Sequence, residues 1–235
     1  MEEESEMQTM ETRRWRLKGP EMEGAIARWY ARVRGSKSQI EAYRDQAAQL
    51  TAGLPDGARV LEVAAGPGYL SIEMARLRRL DVTALDISRT FVEIGSKSAR
   101  REGVSVDFRQ GDVAKMPFEA DSFDLIVCQA AFKNFTLPRT ALVEMYRVLR
   151  TGGTAVIQDM SRGATHADIE DEVKGMGLGR LSSLMTKATL ERLRNRAYSP
   201  LQFELLVAES PFQTCEITTA GIGLEVRLKK SAITN

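Results

Sequence analysis

Short apolar runs alternate with stretches of helical periodicity through the middle of the chain. The runs cover residues 60–63, 81–86, 104–109, 123–129 and 154–159, and the helical patterns include 69–77, 91–101 and 138–149. Runs of this length between turn signals are typical of buried strands. Their alternation with helices predicts an α/β fold with a doubly wound, mostly parallel sheet.

A glycine turn follows the first predicted strand. Gly66-Pro67-Gly68 separates the run at 60–63 from the helical pattern at 69–77. No side chain blocks a ligand at Gly66 or Gly68, and the free N–H groups of the following helix point toward it. Because ligands bind at the carboxyl ends of strands in such sheets, this turn is the predicted centre of a site.

An acidic residue, Asp86, ends the second strand 20 residues after Gly66. In a parallel sheet its carboxylate lies beside the glycine turn, where it can accept hydrogen bonds from both hydroxyls of a ribose. The alternative is that Asp86 caps the helix that follows, although Ser88 suits that position better. We therefore predict a ribose contact for Asp86.

A second acid, Asp112, follows the third strand. Taken alone, Gly111-Asp112 is a turn. Beside Gly66 and Asp86 it predicts the third loop of a nucleoside pocket, in which its carboxylate accepts from an exocyclic amine and the Val113 N–H bonds a ring nitrogen. Three apolar side chains could cover the face of an adenine ring: Ile87, Met116 and Phe118.

The segment before the first strand predicts a tail and two helices. Residues 1–19 are acidic and then basic, and we expect them to be disordered. Residues 20–52 predict two helices split near Gly35, with apolar faces made by Ile26, Trp29, Tyr30 and Val33 and by Ile40, Tyr43, Ala47 and Leu50. We expect both helices to pack beside the sheet or over its ligand edge.

The segment after the fifth strand predicts a lid and a strand pair. Residues 160–210 are rich in helical pattern, with helices at 181–196 and 201–209, and follow a strand at the ligand edge, so we expect a helical lid. Residues 212–218 and 222–229 alternate around Gly221 and predict an antiparallel end of the sheet. Residues 20–235 are thus expected to form one domain.

Composition narrows the class of protein. The chain has 235 residues, 43% of them hydrophobic and 28% charged, and a formal net charge of +1. We therefore expect no nucleic-acid partner and no integral membrane segment. One histidine and two cysteines leave no zinc cluster, so no metal is expected. The acidic start predicts a cytoplasmic protein without a secretory signal, and a homodimer stays open.

These motifs together resemble the class I S-adenosylmethionine-dependent methyltransferases, in the branch similar to quinone-biosynthesis and other small-molecule methyltransferases. The resemblance covers about residues 55–160. It rests on VLEVAAGPG at 60–68, LDIS at 85–88, GDVAKMPF at 111–118, FDLIV at 123–127 and VLRTGG at 148–153. It implies a Rossmann-like, seven-stranded sheet with an antiparallel last strand. One departure is Ala64, where the family usually has glycine.

The resemblance also implies S-adenosylmethionine as cofactor and a set of residues that bind it. The methionine part would lie near Gly66 and Gly68, with Ala64 at its amino-acid end and Glu62 shaping the loop. Gln129, at the end of the fourth strand, would face the methionine or the transferring methyl group. The nucleoside would contact Asp86, Ile87, Asp112 and Val113.

Catalysis by this chemistry needs few reactive side chains. A sulfonium methyl group is already electrophilic, so positioning of the acceptor and exclusion of water can supply the acceleration. A hydroxyl or carbon-acid acceptor would need a base. His166 is the first candidate, against the alternative of a surface histidine on the lid. Further candidates, for the base or for contact with the small-molecule acceptor, are Tyr30, Phe132, Lys133, Asn134 and Asp159.

Two other functions stay open. An NAD(P)-dependent oxidoreductase uses a similar sheet, but its third glycine position is Ser71 here and no Tyr-x-x-x-Lys set is visible. A non-catalytic module that binds S-adenosylmethionine is the other alternative. Methylation of protein or RNA is disfavoured, because the chain shows no basic face or aromatic platform.

Overall fold

The computed structural model describes residues 22–77, 80–177 and 179–231, and the tail predicted for residues 1–19 lies outside these ranges. The helices are α1 Gly24–Arg34, α2 Lys37–Thr51, α3 Tyr69–Leu77, α4 Arg89–Glu102, α5 Pro138–Val148, α6 His166–Gly175, α7 Arg180–Arg196 and α8 Pro200–Ala208. The strands are β1 Arg59–Val63, β2 Asp81–Asp86, β3 Asp107–Gln110, β4 Phe123–Gln129, β5 Leu149–Met160, β6 Glu216–Ala220 and β7 Gly223–Lys229. A search of the described helices finds none with the length and apolarity of a membrane span.

The seven strands form one sheet in the order β3-β2-β1-β4-β5-β7-β6. Strands β1 to β5 are parallel to one another, whereas β7 runs antiparallel between β5 and β6. The predicted mostly parallel sheet with an antiparallel strand at its end is confirmed. The chain leaves β1 toward β2 and β3 and then returns to β4. This reversal opens a crevice between β1 and β4, the place where such sheets bind ligands.

Apolar side chains cover both faces of the sheet, as expected when helices pack on each side. One face is buried under α2 and α3 and includes Val60, Val127 and Val156. The opposite face is buried under α5 and α8 and includes Leu61 and Ile126. Because successive strand residues alternate between faces, each strand end can present side chains to both sides of the crevice.

Helix α1 departs from its predicted packing. Its buried residues are Ala27 and Ala31, whereas Ile26, Trp29 and Val33 are 47%, 61% and 53% exposed. The small alanines allow a close approach to the rest of the fold, and the larger apolar side chains point away from it. The predicted face of α2 is confirmed, since Tyr43, Ala47 and Leu50 are all buried.

Two strand boundaries also differ from the predictions. Strand β3 begins at Asp107 rather than at residue 104. Strand β5 begins at Leu149 and continues through Gly152 and Gly153, which the sequence predicted to be a turn before the strand. The β4–β5 register shifts between Phe123 and Leu125, so the glycines make an irregularity inside the strand instead of ending it.

The helices after β5 divide between core and surface. Helix α8 begins with a capping box made by Ser199 and Gln202, and it buries Phe203 and Val207 in the main core. Because α8 belongs to the core, only α6 and α7 are left of the predicted lid, and they pack mainly on each other. None of the side chains of α7 in the described structure is fully buried. Closure of these two helices over the site stays a prediction.

Candidate functional site

The glycine turn after β1 leaves open space beside its backbone. Gly66 and Gly68 have φ of +56° and +71°, the left-handed region that favours glycine. A Cβ added to Gly66 would have no heavy atom within 4 Å, whereas one added to Gly68 would lie 2.3 Å from a ring carbon of Phe108. Gly68 is therefore required for packing, and Gly66 combines a special backbone conformation with access for a ligand.

Ala64 and Ala130 flank the crevice in strained conformations. Ala64 follows β1 with φ of +52°, and Ala130 follows β4 with φ of +55°. The left-handed region costs an L-residue about 1–2 kcal/mol. Non-glycine residues held in this region are concentrated at ligand sites, which agrees with a site between these two strand ends.

Asp86 ends β2 with its carboxylate directed at the glycine turn. Oδ2 accepts a hydrogen bond from Gly66 N at 2.7 Å, and Oδ1 accepts one from Ser88 N at 2.8 Å. Burial raises the pKa of Asp86, opposed by these backbone N–H groups. The predicted N-cap role of Ser88 is confirmed, because its hydroxyl accepts from Phe91 N at 3.1 Å.

The loop after β3 is attached to the same strand end. Gly111 N donates to the Asp86 carbonyl at 2.9 Å, which places Asp112 at the edge next to Asp86. The Asp112 side chain is exposed and accepts from Ala114 N at 2.9 Å. Ile87 is 69% exposed at this edge. Two carboxylates and an exposed apolar side chain thus follow β2 and β3.

Glu62 is a buried acid on β1, below the glycine turn. It is 3% exposed and accepts a hydrogen bond from the hydroxyl of Ser71 on α3. Burial raises the pKa of Glu62 to about 7. The contact joins the strand to the helix on either side of the glycine turn, and a role for Glu62 in shaping the loop stays a prediction.

Helix α1 is attached to the starts of two other helices, α3 and α4. Glu23 accepts hydrogen bonds from the Thr90 N at 3.2 Å and the Thr90 hydroxyl at 2.5 Å, at the N-terminus of α4. Tyr30 packs edge-on against Phe91, with ring centroids 5.8 Å apart. The Tyr69 hydroxyl, at the start of α3, donates to a backbone carbonyl of α1 at 2.9 Å. Glu23 was missed in the sequence because its partner is 67 residues away.

A row of glutamine side chains lies on the β4 side of the crevice. Gln129 donates through Nε2 to Oε1 of Gln46 on α2 at 2.5 Å. Gln46 in turn donates to Oε1 of Gln158 on β5. Gln158 donates to Oε2 of Glu225 on β7 at 2.6 Å. The sequence pattern carried no signal for Gln46, because a polar residue on a helix normally faces water.

A buried ion pair fixes the turn after β4. Lys133 Nζ lies 2.6 Å from Asp159 Oδ1, and the two side chains are 6% and 2% exposed. The same ammonium donates to the Ala130 carbonyl at 2.6 Å, and Lys133 N donates to Asp159 Oδ2 at 3.0 Å. These groups are paired with each other, so their visible role is to hold the strained Ala130 turn against β5.

The remaining candidate residues do not converge on one point. Phe132 is fully buried and packs on Phe203 at 5.0 Å between ring centroids, so it could reach an acceptor only if this aromatic cluster opened. Asn134 is exposed on the short 3₁₀ helix after β4. The His166 side chain is 72% exposed, with Nδ1 2.6 Å from Oε1 of Glu191 on α7. Catalysis by His166 stays a prediction.

The residues at the crevice fit a nucleoside cofactor with a charged amino-acid end. The space over Gly66 admits a ligand against the backbone. Asp86 offers an acceptor beside that space, and the exposed Asp112 offers another on the next loop. Polar side chains on the β4 side, led by Gln129, suit the amino-acid end.

Comparisons with known proteins agree with this geometry. Residues 61–157 match the methyltransferase domain family. The demethylmenaquinone methyltransferase of Renibacterium salmoninarum is 38% identical over 109 residues, which are 46% of this chain and 44% of that protein. The ubiquinone/menaquinone biosynthesis C-methyltransferase UbiE of Blochmanniella floridana is 34% identical over 110 residues, 45% of this chain and 43% of that protein. The chain thus spans less than half the length of the curated relatives it matches.

The fold is shared over nearly the whole chain. A protein of Methanococcus maripaludis that is assigned to the S-adenosyl-L-methionine-dependent methyltransferases superposes with a TM-score of 0.71. It covers 92% of this chain and 97% of its own, at 20% identity, and so supports the fold. Residues 61–157 of the present chain therefore match a methyltransferase domain, and this part of the chain is similar to curated quinone-biosynthesis methyltransferases.

Proposed function

We propose that this protein transfers a methyl group from S-adenosylmethionine to a small-molecule acceptor by in-line displacement. One observation carries the proposal: the open Gly66 turn and the buried Asp86 carboxylate meet at the crevice of a methyltransferase domain. In this arrangement Asp86 would bind the ribose hydroxyls. The adenine would lie between Ile87, Asp112 and Val113, and the amino-acid end would extend from Gly66 toward Gln129.

The chain's own contribution to the reaction is binding, orientation and exclusion of water. The bound cofactor would supply an electrophilic methyl group. The strained Ala64 and Ala130 turns and the paired Lys133 hold the two sides of the crevice in fixed positions. Such fixed positioning can lower a barrier by roughly 7–11 kcal/mol in favourable cases. An acceptor that must lose a proton would need a base, for which His166 is our candidate.

The names of the relatives suggest the chemical class of the acceptor. Both relatives are named for quinone methylation. By analogy, we propose that the acceptor of the present chain is an aromatic, partly apolar molecule. Exposed apolar side chains on α1 and α7 suit such a molecule: Ile26, Trp29, Leu181, Leu184 and Met185. Helix α1 contacts the start of α4 through Glu23 and Tyr30, and α7 packs on α6, the helix that follows the ligand end of β5.

Thermal unfolding with S-adenosylmethionine, S-adenosylhomocysteine and NADH tests the cofactor. A ligand at about 100 times its dissociation constant stabilises a protein by roughly 2.7 kcal/mol, which gives a readable increase in Tm. We expect increases with the two sulfur nucleosides and none with NADH. A response to NADH alone would instead support an oxidoreductase.

Transfer itself is tested with labelled S-adenosylmethionine and a panel of reduced naphthoquinones, phenols, thiols and amines. Label in an extracted acceptor would establish methyl transfer and its class. Tight binding of S-adenosylhomocysteine with no transfer to any of these classes would favour the non-catalytic binding module.

A further inference from the structure

The hydrogen bonds in the glutamine row all run in one direction, from Gln129 toward Glu225. Gln129, Gln158 and Glu225 are register partners on β4, β5 and β7, so their side chains lie in line on one face of the sheet. Gln46 of α2 bridges the first two. An amide can face either way, because its oxygen accepts and its nitrogen donates. Whether the group at the end of the row donates or accepts therefore determines which way every amide in the row faces.

Glu225 can only accept, since it ends the row with a carboxylate. Oε2 accepts from Gln158 at 2.6 Å, and Oε1 accepts from Arg227 Nε at 2.6 Å. Gln158 must then turn its oxygen to Gln46, and Gln46 must turn its oxygen to Gln129. Gln129 is left with its nitrogen committed to the row. Among the described residues, none donates to its Oε1.

Gln129 stands where the amino-acid end of the cofactor would lie. The β1–β4 register pairs Val63 with Cys128, so Gln129 lies across the crevice from Ala64 and the glycine turn. It is partly exposed, and its side chain lies on the face covered by α2. An α-ammonium group is a donor only, so it needs an oxygen and is repelled by an amide nitrogen.

We propose that Glu225, acting through Gln158 and Gln46, is a positioning residue that turns the carbonyl oxygen of Gln129 toward the α-ammonium of the cofactor. The proposal rests on the function proposed above. It names a determinant of cofactor recognition on β7, far along the chain from the glycine turn. It also gives α2 a part in the site, because Gln46 completes the row.

Glu225→Gln tests the proposal without changing the shape of the side chain. Arg227 Nε is a cationic donor that cannot accept, so it favours the oxygen of the new amide on its side and leaves the nitrogen facing Gln158. Every amide in the row then reverses, and Gln129 presents its nitrogen to the ligand. The measurement is the dissociation constant, by calorimetry, of S-adenosylhomocysteine and of methylthioadenosine, which lacks the amino-acid end.

We expect Glu225→Gln to weaken the binding of S-adenosylhomocysteine roughly tenfold or more, as for loss of a hydrogen bond to a charged group. The binding of methylthioadenosine should not change. Glu204→Gln, at an exposed glutamate on α8 away from the row, is the matched control and should change neither constant. Adding Arg227→Leu to Glu225→Gln frees the new amide and should restore part of the affinity.

An unchanged ratio of the two constants in Glu225→Gln would overturn the proposal, as would equal weakening of both ligands. If neither ligand bound the unaltered protein, the result would be of a different kind. It would contradict the proposed function itself, and with it the inference that rests on that function.

Discussion

Two residues beside the glycine turn make the folded protein less stable than other residues at the same positions would. Ala64 holds a left-handed backbone conformation, and Glu62 has a buried carboxyl whose pKa is raised. Unfavourable local choices of this kind are expected at functional sites, where the surrounding structure compensates for them. Each gives a prediction about stability.

Replacing Ala64 by glycine should stabilise the protein by up to about 1 kcal/mol. Glycine removes the penalty of about 1–2 kcal/mol for a side chain at positive φ, and part of this gain is lost to backbone entropy. Urea unfolding measures the difference. Ala65→Gly, the neighbouring change at a residue without positive φ, should destabilise instead. Equal effects at the two positions would contradict the assignment of strain to Ala64.

Replacing Glu62 by glutamine should stabilise the protein more at pH 8 than at pH 5. The pKa of Glu62 rises on folding from 4.5 to about 7, so the folded chain keeps a proton that the unfolded chain loses. The stability of the unaltered protein therefore falls as pH rises through this window, by on the order of 3 kcal/mol in all. Unfolding curves of both proteins at the two pH values test this. The exposed Glu41→Gln should show no such pH dependence.

At the scale of elements, single contacts attach the connecting segments to the sheet edge. Glu23 attaches α1 to the N-terminus of α4, and Lys133 attaches the turn after β4 to β5. Neither contact follows from the periodicity of its own element. The apolar pattern of α1 even predicted the wrong face, because Ala27 and Ala31 make the close contact while Ile26, Trp29 and Val33 are exposed.

Glu23→Ala should loosen α1 from the ligand edge. The change removes acceptors for two backbone N–H groups of α4 and should cost about 1 kcal/mol, as for loss of an N-cap. Amide hydrogen exchange should accelerate across residues 24–34, while residues 37–51 keep their protection. Glu41→Ala, on the exposed side of α2, serves for comparison. Uniform acceleration in both helices would argue against a specific attachment.

Lys133→Met should destabilise the protein by about 3–5 kcal/mol, since it leaves the buried Asp159 carboxylate without its cation. The double variant Lys133→Met with Asp159→Leu should recover much of that loss, because it removes the unpaired charge as well. Chemical unfolding of the set gives the values. Similar stability of the single and double variants would show that the pair is not what matters at this turn.

At the scale of the whole molecule, the sheet order brings distant acids to one edge. Asp86 and Asp112 follow β2 and β3, which are neighbours, and Gly66 follows β1 beside them. The candidate cofactor site is therefore made by topology rather than by any single segment. This gives a prediction about binding that does not involve stability.

Asp86→Ala and Asp112→Ala should each weaken S-adenosylhomocysteine binding, and Asp86→Ala should have the larger effect because its carboxylate is buried beside Gly66. Loss of a hydrogen-bonded charge from such a place costs about 1.5–3 kcal/mol, or roughly ten- to a hundredfold. Calorimetry provides the constants. Asp107→Ala, an exposed acid at the opposite end of β3, is the control. Unchanged affinity in both site variants would remove the assignment of the pocket.

The local pattern of the sequence was sufficient for the sequence of elements and for the position of the glycine turn. Strand runs, helical spacing and glycine act over a few residues, so they are visible in the chain itself. The same is true of the Ser88 cap and of the acids at Asp86 and Asp112, which stand at strand ends.

Only the tertiary structure decided which side chains meet across the sheet. The row from Gln129 through Gln46 and Gln158 to Glu225 joins four elements, and each of these residues alone reads as an ordinary polar position. The continuation of β5 through Gly152 and Gly153 likewise depends on a distant partner, since both glycines form backbone hydrogen bonds with Lys230 after β7. Such contacts depend on register and on helix placement, which are set by packing over the whole fold and are not encoded in any short stretch.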